Sequence, residues 1–251
     1  EPVQSPSDGL GDNRPVCDPP DVTPQSTAID ESCGEILPLE AILEWSDPGV
    51  GSTLSAPIIG SLTDDDGDGV IGPLDTPDIV IENWDHELVV FSGDGSGEHW
   101  RLELDGWGST MPALGDVDND GLPEIIIAQR IDGLTVVRAL DGSTGAVEWS
   151  RKIHDLGCIH STLGIYDLDA DGSAEVVFGN HILEGDSGRI RGVGAHGVGS
   201  ASTYNVTSVA ADIDRDGDLE VVVGNALYDA DGNTIWANGE EDGYVAVANF
   251  D

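Results

Sequence analysis

The stretch Asp116-Val-Asp118-Asn-Asp120-Gly121-Leu-Pro-Glu124-Ile-Ile-Ile127 decides the fold. Carboxylates at positions one, three and five, then glycine at six, make a sharp acidic turn, and a β-branched run follows at once. The stretch therefore reads as a loop that delivers the chain into a strand. It recurs as Asp167-Leu-Asp169-Ala-Asp171-Gly172 leading to Glu175, and as Asp212-Ile-Asp214-Arg-Asp216-Gly217 leading to Glu220. An earlier copy, Asp64-Asp-Asp66-Gly-Asp68-Gly69, carries an insertion over 70–76, after which Pro77-Asp78-Ile-Val-Ile81 matches Pro123-Glu124-Ile-Ile-Ile127. Asp78 is thus the equivalent ninth-position acid, with Asp75 as its rival. A fifth copy opens at Val245 and reaches its first loop aspartate at Asp251.

Around each loop the same strand pattern returns. A short apolar segment precedes it (56–60, 112–115, 163–166, 208–211) and a β-branched run follows it (79–81, 125–127, 176–178, 221–223). A third apolar run comes next, then a turn built on Asp94-Gly95, Asp141-Gly142, Gly185-Asp186 or Asp231-Gly232, which supplies the positive-φ positions of a tight hairpin. A fourth strand carries Trp100, Trp149 or Trp236, with Arg189-Ile-Arg191 in the third copy. Successive first-loop aspartates lie 52, 51, 45 and 39 residues apart, the period of a propeller blade. The expected fold is all-β: a β-propeller of four-stranded antiparallel blades with calcium-binding loops, incomplete in this chain. Blades are expected over about 54–102, 110–151, 160–192 and 206–237, with a fifth beginning at 244–251. Residues 39–46 repeat the fourth-strand pattern and end near Trp45, so they read as an orphan outer strand that closes a blade begun by the other terminus. A seven-blade ring would need roughly 100 further residues. The chain is accordingly expected to continue, or to take the missing strands from another molecule and assemble head to tail through 39–45.

Oxygen atoms at loop positions one, three and five, a carbonyl at seven and a later carboxylate can wrap one hard cation. The candidate ligands are Asp64, Asp66, Asp68 and Asp78; Asp116, Asp118, Asp120 and Glu124; Asp167, Asp169, Asp171 and Glu175; Asp212, Asp214, Asp216 and Glu220. With the closing acid at nine rather than twelve and no flanking helices, these are strand-loop-strand sites and not EF-hands. About four Ca²⁺ ions are expected. Mg²⁺ prefers fewer protein ligands, and Zn²⁺ prefers His or Cys.

On these residues the sequence resembles the FG-GAP repeat family, also described as VCBS repeats, the propeller repeats of integrin α subunits and of many bacterial secreted proteins. The likeness covers about residues 39–251. It implies Ca²⁺ in the loop between the first and second strands of each blade, on one face of the propeller. The FG and GAP signatures are degenerate, as Leu114-Gly115 and Phe178-Gly179 show. The run from Ala139 to Trp149 also resembles the tryptophan-docking motif of quinoprotein propellers and is read as blade packing.

Composition narrows the function. With 49 Asp+Glu against 9 Lys+Arg, the formal net charge is -40, which excludes nucleic acid and anionic membranes as partners. No run of about 18 apolar residues occurs, so no membrane insertion is expected. Residues 1–35 are rich in Pro, Ser and Asp and read as a linker or tether of a processed chain. Cys17, Cys33 and Cys158 are too few for a disulfide scaffold; Cys17 and Cys33 are the nearest pair, and Cys158 reads as a small buried residue. His154, Cys158 and His160 cluster in sequence, but no fourth ligand or orienting acid accompanies them, and no GxSxG, HExxH or Walker loop occurs. Aligned on the loops, Trp107, Cys158 and Thr203 share one blade position and Ser109, His160 and Asn205 another. These connections lie opposite the acidic loops, where a ligand surface is expected. The favoured function is a non-catalytic, calcium-rigidified extracellular or cell-surface module for adhesion, display or assembly, binding a protein or glycan ligand. The alternative is a calcium-dependent polysaccharide lyase or hydrolase.

Overall fold

The computed structural model describes residues 43–53, 55–106, 109–154, 156–200 and 204–248, and no helix occurs among them. The chain divides into two units, Glu1–Glu44 and Trp45–Asp251, and every strand among the described residues lies in the second. The tether at 1–35, with Cys17 and Cys33, falls outside the described residues, as do 39–42 of the orphan strand.

Four antiparallel four-stranded sheets follow one another along the chain. The first joins β1 (Ile58–Gly60), β2 (Asp78–Glu82), β3 (Glu87–Ser92) and β4 (Glu98–Glu103). After β5 (Ser109–Met111) comes the second, β6 (Ala113–Gly115), β7 (Glu124–Ile131), β8 (Leu134–Asp141) and β9 (Val147–Ile153). β10 (Ile159–Thr162) precedes the third, β11 (Gly164–Tyr166), β12 (Glu175–Phe178), β13 (His181–Glu184) and β14 (Ile190–Val193). The fourth holds β15 (Val209–Ala211), β16 (Glu220–Val223), β17 (Ala226–Tyr228) and β18 (Thr234–Ala237). In each sheet neighbouring strands are consecutive in sequence, the up-and-down order of a propeller blade. One element was not foreseen: β5 and β10 pair in parallel, Ile159 opposite Ser109. Parallel partners come from separate segments, so no local hairpin signal announces them.

The blades pack face to face. Val80, Leu88 and Val90 of the first blade meet Ile125, Ile127 and Leu140 of the second. Ile126, Val137 and Ala139 on the other face of the second meet Val176, Phe178 and Leu183 of the third. Val177 and Ile182 continue into Val221, Val223 and Tyr228 of the fourth. Middle strands are therefore buried on both faces, which is why β7 and β12 are near-continuous apolar runs, whereas the outer strand β4 alternates between exposed and half-buried. The outward face of the fourth blade is open: Ile213 is 45% exposed and Trp236 54%. No strand pairing among the described residues joins the first blade to the fourth, so the array is open. Residues 244–248 form no strand, contrary to the expected first strand of a fifth blade, because none of the described residues offers them a ladder partner.

The outer-strand tryptophans fasten one blade to the next. Trp100 Nε1 donates to Gly142 O at 2.9 Å and Trp149 Nε1 to Gly185 O at 2.7 Å, each crossing to the following blade. Trp45 does the same to Gly93 O at 3.3 Å and lies against Phe91, while residues 43–46 carry no ladder. Each accepting glycine also sends its own N–H inward, Gly93 to Pro77 O, Gly142 to Pro123 O and Gly185 to Ala174 O. A Cβ at Gly142 would sit 2.3 Å from Pro123 O, so the close approach demands glycine there.

Candidate metal centres

In three loops the closing acid is the first residue of the blade's second strand. Register pairs Glu124 with Gly115, Glu175 with Tyr166 and Glu220 with Ala211, the last residue of each first strand. One oxygen of each accepts the N–H of loop position two: Glu124 from Val117 at 2.8 Å, Glu175 from Leu168 at 2.9 Å, Glu220 from Ile213 at 2.9 Å. The position-one aspartate takes the N–H of position five, as Asp116 does from Asp120 at 3.1 Å and Asp167 from Asp171 at 3.0 Å. To close this turn the chain passes twice through the left-handed region. Position six is always glycine, from φ 87° at Gly69 to 106° at Gly217, whereas position four is Asn119, Ala170 or Arg215 at 62°, 55° and 67°. A non-glycine residue there costs about 1 kcal/mol, held by the surrounding ladder.

The result is a set of acidic triads whose ligand oxygens lie within 4.8 Å of one another: Asp116, Asp118 and Glu124; Asp167, Asp169 and Glu175; Asp212, Asp214 and Glu220. In each, the glutamate is buried and at least one aspartate is open to solvent. The position-five aspartates stand outside the triads. Asp68, Asp120, Asp171 and Asp216 each turn Oδ1 to the N–H of position seven instead. Three clustered carboxylates without a counter-charge repel, and the chemistry shows it: burial, then Glu148, Asp118 and Asp116 nearby, push Glu124 up to about 8. A hard, all-oxygen donor set that penalises its own charge fits a divalent cation.

The first loop departs from the expectation. Asp64 and Asp66 are joined by Asp75, not Asp78. By register Asp78 is indeed the counterpart of Glu124, since it pairs with Gly60 as Glu124 does with Gly115. The six-residue turn has slid along the chain, however, and Asp78 now accepts from Leu62 N at 2.8 Å and Thr63 Oγ1 at 3.2 Å. Its Oδ1 lies 2.8 Å from His99 Nε2 but without the alignment of a hydrogen bond. Asp75 folds back over the loop, accepting from Asp65 N at 2.9 Å and Gly72 N at 2.7 Å. These backbone donors, Gly72 first, hold its carboxyl below the usual range. Counted from Asp64, Asp75 stands at position twelve, the place of the closing acid in a helix-flanked calcium loop. That spacing was visible in the sequence and was masked by matching the strand that follows.

The third loop is occupied from within. Arg191, at the bulge of β14 beside Gly192, which holds the register place of the outer-strand tryptophans, sets its guanidinium on Asp169 Oδ2 at 2.5 Å, Glu175 Oε1 at 2.9 Å and Asp231 Oδ1 at 3.0 Å. Both oxygens of Glu175 are thereby engaged, whereas Asp169 Oδ1 is buried and without a hydrogen-bond partner. The sequence shows Arg189-Ile-Arg191 in a fourth strand without tryptophan but not the target of Arg191, because the guanidinium reaches a loop 22 residues away.

Of the other residues singled out, Cys158 is fully buried in the core between the second and third blades, and burial pushes its thiol up. His154 and His160 join no metal-ligating group among the described residues. Trp107 and Thr203 lie outside those residues.

No protein-family model matches the chain, and no curated protein matches it in sequence. Among solved structures it resembles the Vibrio cholerae biofilm matrix protein Bap1, with a TM-score of 0.56, 22% identity, and an alignment covering 77% of this chain and 33% of Bap1. Weaker likenesses include the exotype rhamnogalacturonan lyase YesX, with a TM-score of 0.47, 20% identity, and 66% and 37% of the two chains covered. BamB from Moraxella catarrhalis follows with a TM-score of 0.41, 16% identity, and 66% and 50% covered. The chain thus has a β-propeller-like fold and spans about a third of Bap1.

Proposed function

We propose that the chain is a calcium-binding β-propeller module of the FG-GAP or VCBS repeat type, working outside the cell or at its surface in adhesion, display or assembly, and not as an enzyme. The observation that carries this reading is the repetition of one acidic triad in four successive blades, between the first and second strands each time. Repetition at a fixed structural position is what a stabilising ion needs, whereas catalysis needs one convergent, asymmetric site. Millimolar calcium outside cells fills sites of modest affinity. The Bap1 likeness supports an extracellular setting, since that protein belongs to a biofilm matrix. Among the described residues no helix is long and apolar enough to cross a membrane. Partners on this reading are a protein or glycan on the propeller face, or a second copy engaged through residues 39–45.

The competing reading, a calcium-dependent polysaccharide lyase or hydrolase, requires a basic side chain at liberty beside a metal site. At the third loop the basic group is Arg191, and three carboxylates occupy it. Equilibrium dialysis with ⁴⁵Ca²⁺ tests the proposal: two or more ions per chain support it, and none overturns it. Ultraviolet detection of unsaturated products from a panel of uronate polysaccharides tests the competing reading, and turnover there would replace the non-catalytic assignment.

A further inference from the structure

We propose that the end of the second blade opposite its acidic loop binds an acidic sugar, with the guanidinium of Arg130 gripping the carboxylate of one uronic acid residue. The cavity there has a volume of about 310 Å³, the size for one sugar ring. Its walls come from three segments: Arg130 and Gly133 at the β7–β8 turn, His154 and Leu156 on the way to β10, and Tyr204 on the way to β15. Thr135 Oγ1 donates to Leu156 O at 2.5 Å and ties the second wall to β8, so the opening is fixed by the blade itself.

Charge marks the site. Asp and Glu make up 49 of the 251 residues, yet the described lining of this cavity contains none, and its basic side chains are Arg130 and His154. Arg101, Arg138, Arg189 and Arg191 are each paired with a carboxylate. Arg130, like Arg215 in the fourth acidic loop, makes no hydrogen bond or ion pair with any described residue, but it alone of the two lines a cavity, and its five donors suit a planar carboxylate held in two parallel bonds. The acidic loop is remote: Glu124 and Arg130 are six residues apart on β7, about 20 Å at 3.3 Å per residue, beyond the screening length of about 8 Å at physiological salt.

The neighbouring cavity shows on which side the anion sits. It shares Arg130 but is walled by Asp105 and Asp132, which repel an anion. The ligand therefore enters on the Thr135 and His154 side. A chain of net charge -40 with a single unpaired guanidinium at the site selects one carboxylate and rejects polyphosphates. Tyr204, 55% exposed on the wall, offers a ring face for the sugar, which distinguishes a uronate from a bare carboxylate.

Titrating the calcium-loaded, ¹⁵N-labelled chain with D-glucuronate, D-glucose and acetate in separate arms tests the assignment. Glucuronate is expected to shift the amides of Gly133, Leu156 and Tyr204, while glucose and acetate bind at least about tenfold more weakly. Arg130→Gln is expected to cut glucuronate affinity more than about tenfold, with Arg130→Lys in between. Acetate binding as well as glucuronate, shifts confined to the loop from Asp116 to Glu124, or unchanged affinity in Arg130→Gln would each overturn the proposal. Should Arg130→Gln fail to fold, the shift map of the unmodified chain in the three arms decides alone.

Discussion

Stripping calcium from the loops should cost this protein a large part of its stability. Carboxylate oxygens in each triad lie within 4.8 Å of one another. At that separation each like-charge pair repels by about 1 kcal/mol in water and about 3.5 kcal/mol at an effective dielectric of 20. Three triads are open, those closed by Asp75, Glu124 and Glu220, because Arg191 already bridges the third loop. With a dissociation constant of about 1 mM, about 10 mM calcium stabilises each open site by about 1.4 kcal/mol, hence about 4 kcal/mol for the set. For a chain of this size that corresponds to a rise in melting temperature of about 8–16 °C, read by calorimetry in calcium against EGTA. Asp118→Ala should remove about a third of the rise and leave the remainder, since the sites sit on separate blades. Equal melting temperatures in calcium and EGTA, or an undiminished rise when Asp66, Asp118 and Asp214 are all replaced by Ala, would refute the reasoning.

The other predictions concern individual residues. Asp75→Asn should lower the calcium stoichiometry by one whereas Asp78→Asn should not, and dialysis giving the reverse order would return the closing role to Asp78. Arg191→Ala should open the third loop and add one calcium, at a cost in stability without calcium, because Asp169 and Glu175 then face each other uncompensated. Trp100→Phe should destabilise by about 1 kcal/mol through the lost bond to Gly142, and should weaken the second site, since Gly142 braces Pro123 next to Glu124; unchanged calcium affinity in that variant would uncouple wedge from loop. Glu82 is 2% exposed, its Oε1 has no partner, and burial pushes it up to about 8. Its folded value exceeds its unfolded one, so its contribution is intact below about pH 4.5 and is lost as pH rises through 8. Glu82→Gln should therefore flatten the fall in melting temperature between pH 5 and 9, and an unchanged slope would count against a buried carboxyl held protonated there.

The blades were legible in the sequence because their signals are local. A strand, an acidic turn with glycine at six and a second β-branched strand occupy a dozen consecutive residues, and the hairpin forms from near neighbours. The same locality made Trp100 and Trp149 recognisable as outer-strand residues, and it placed Asp116, Asp118 and Glu124 in one loop. Where two local signals competed, as with Asp75 and Asp78, matching the strand gave the correct register, but the loop had moved independently of it.

What tertiary structure alone decided depends on contacts between distant segments. The parallel pairing of β5 with β10, the hydrogen bonds from Trp45, Trp100 and Trp149 to the glycine carbonyls of the next blade, and the bridge from Arg191 to Asp169 and Glu175 all join residues that no spacing rule connects. The cavity beside Arg130 is of the same kind, since its walls are contributed by residues 130, 154 and 204. Sequence determined the repeating unit because backbone pairing within a blade is short-range, and packing determined which charges meet because long side chains such as arginine and tryptophan reach across blades to partners set by the fold.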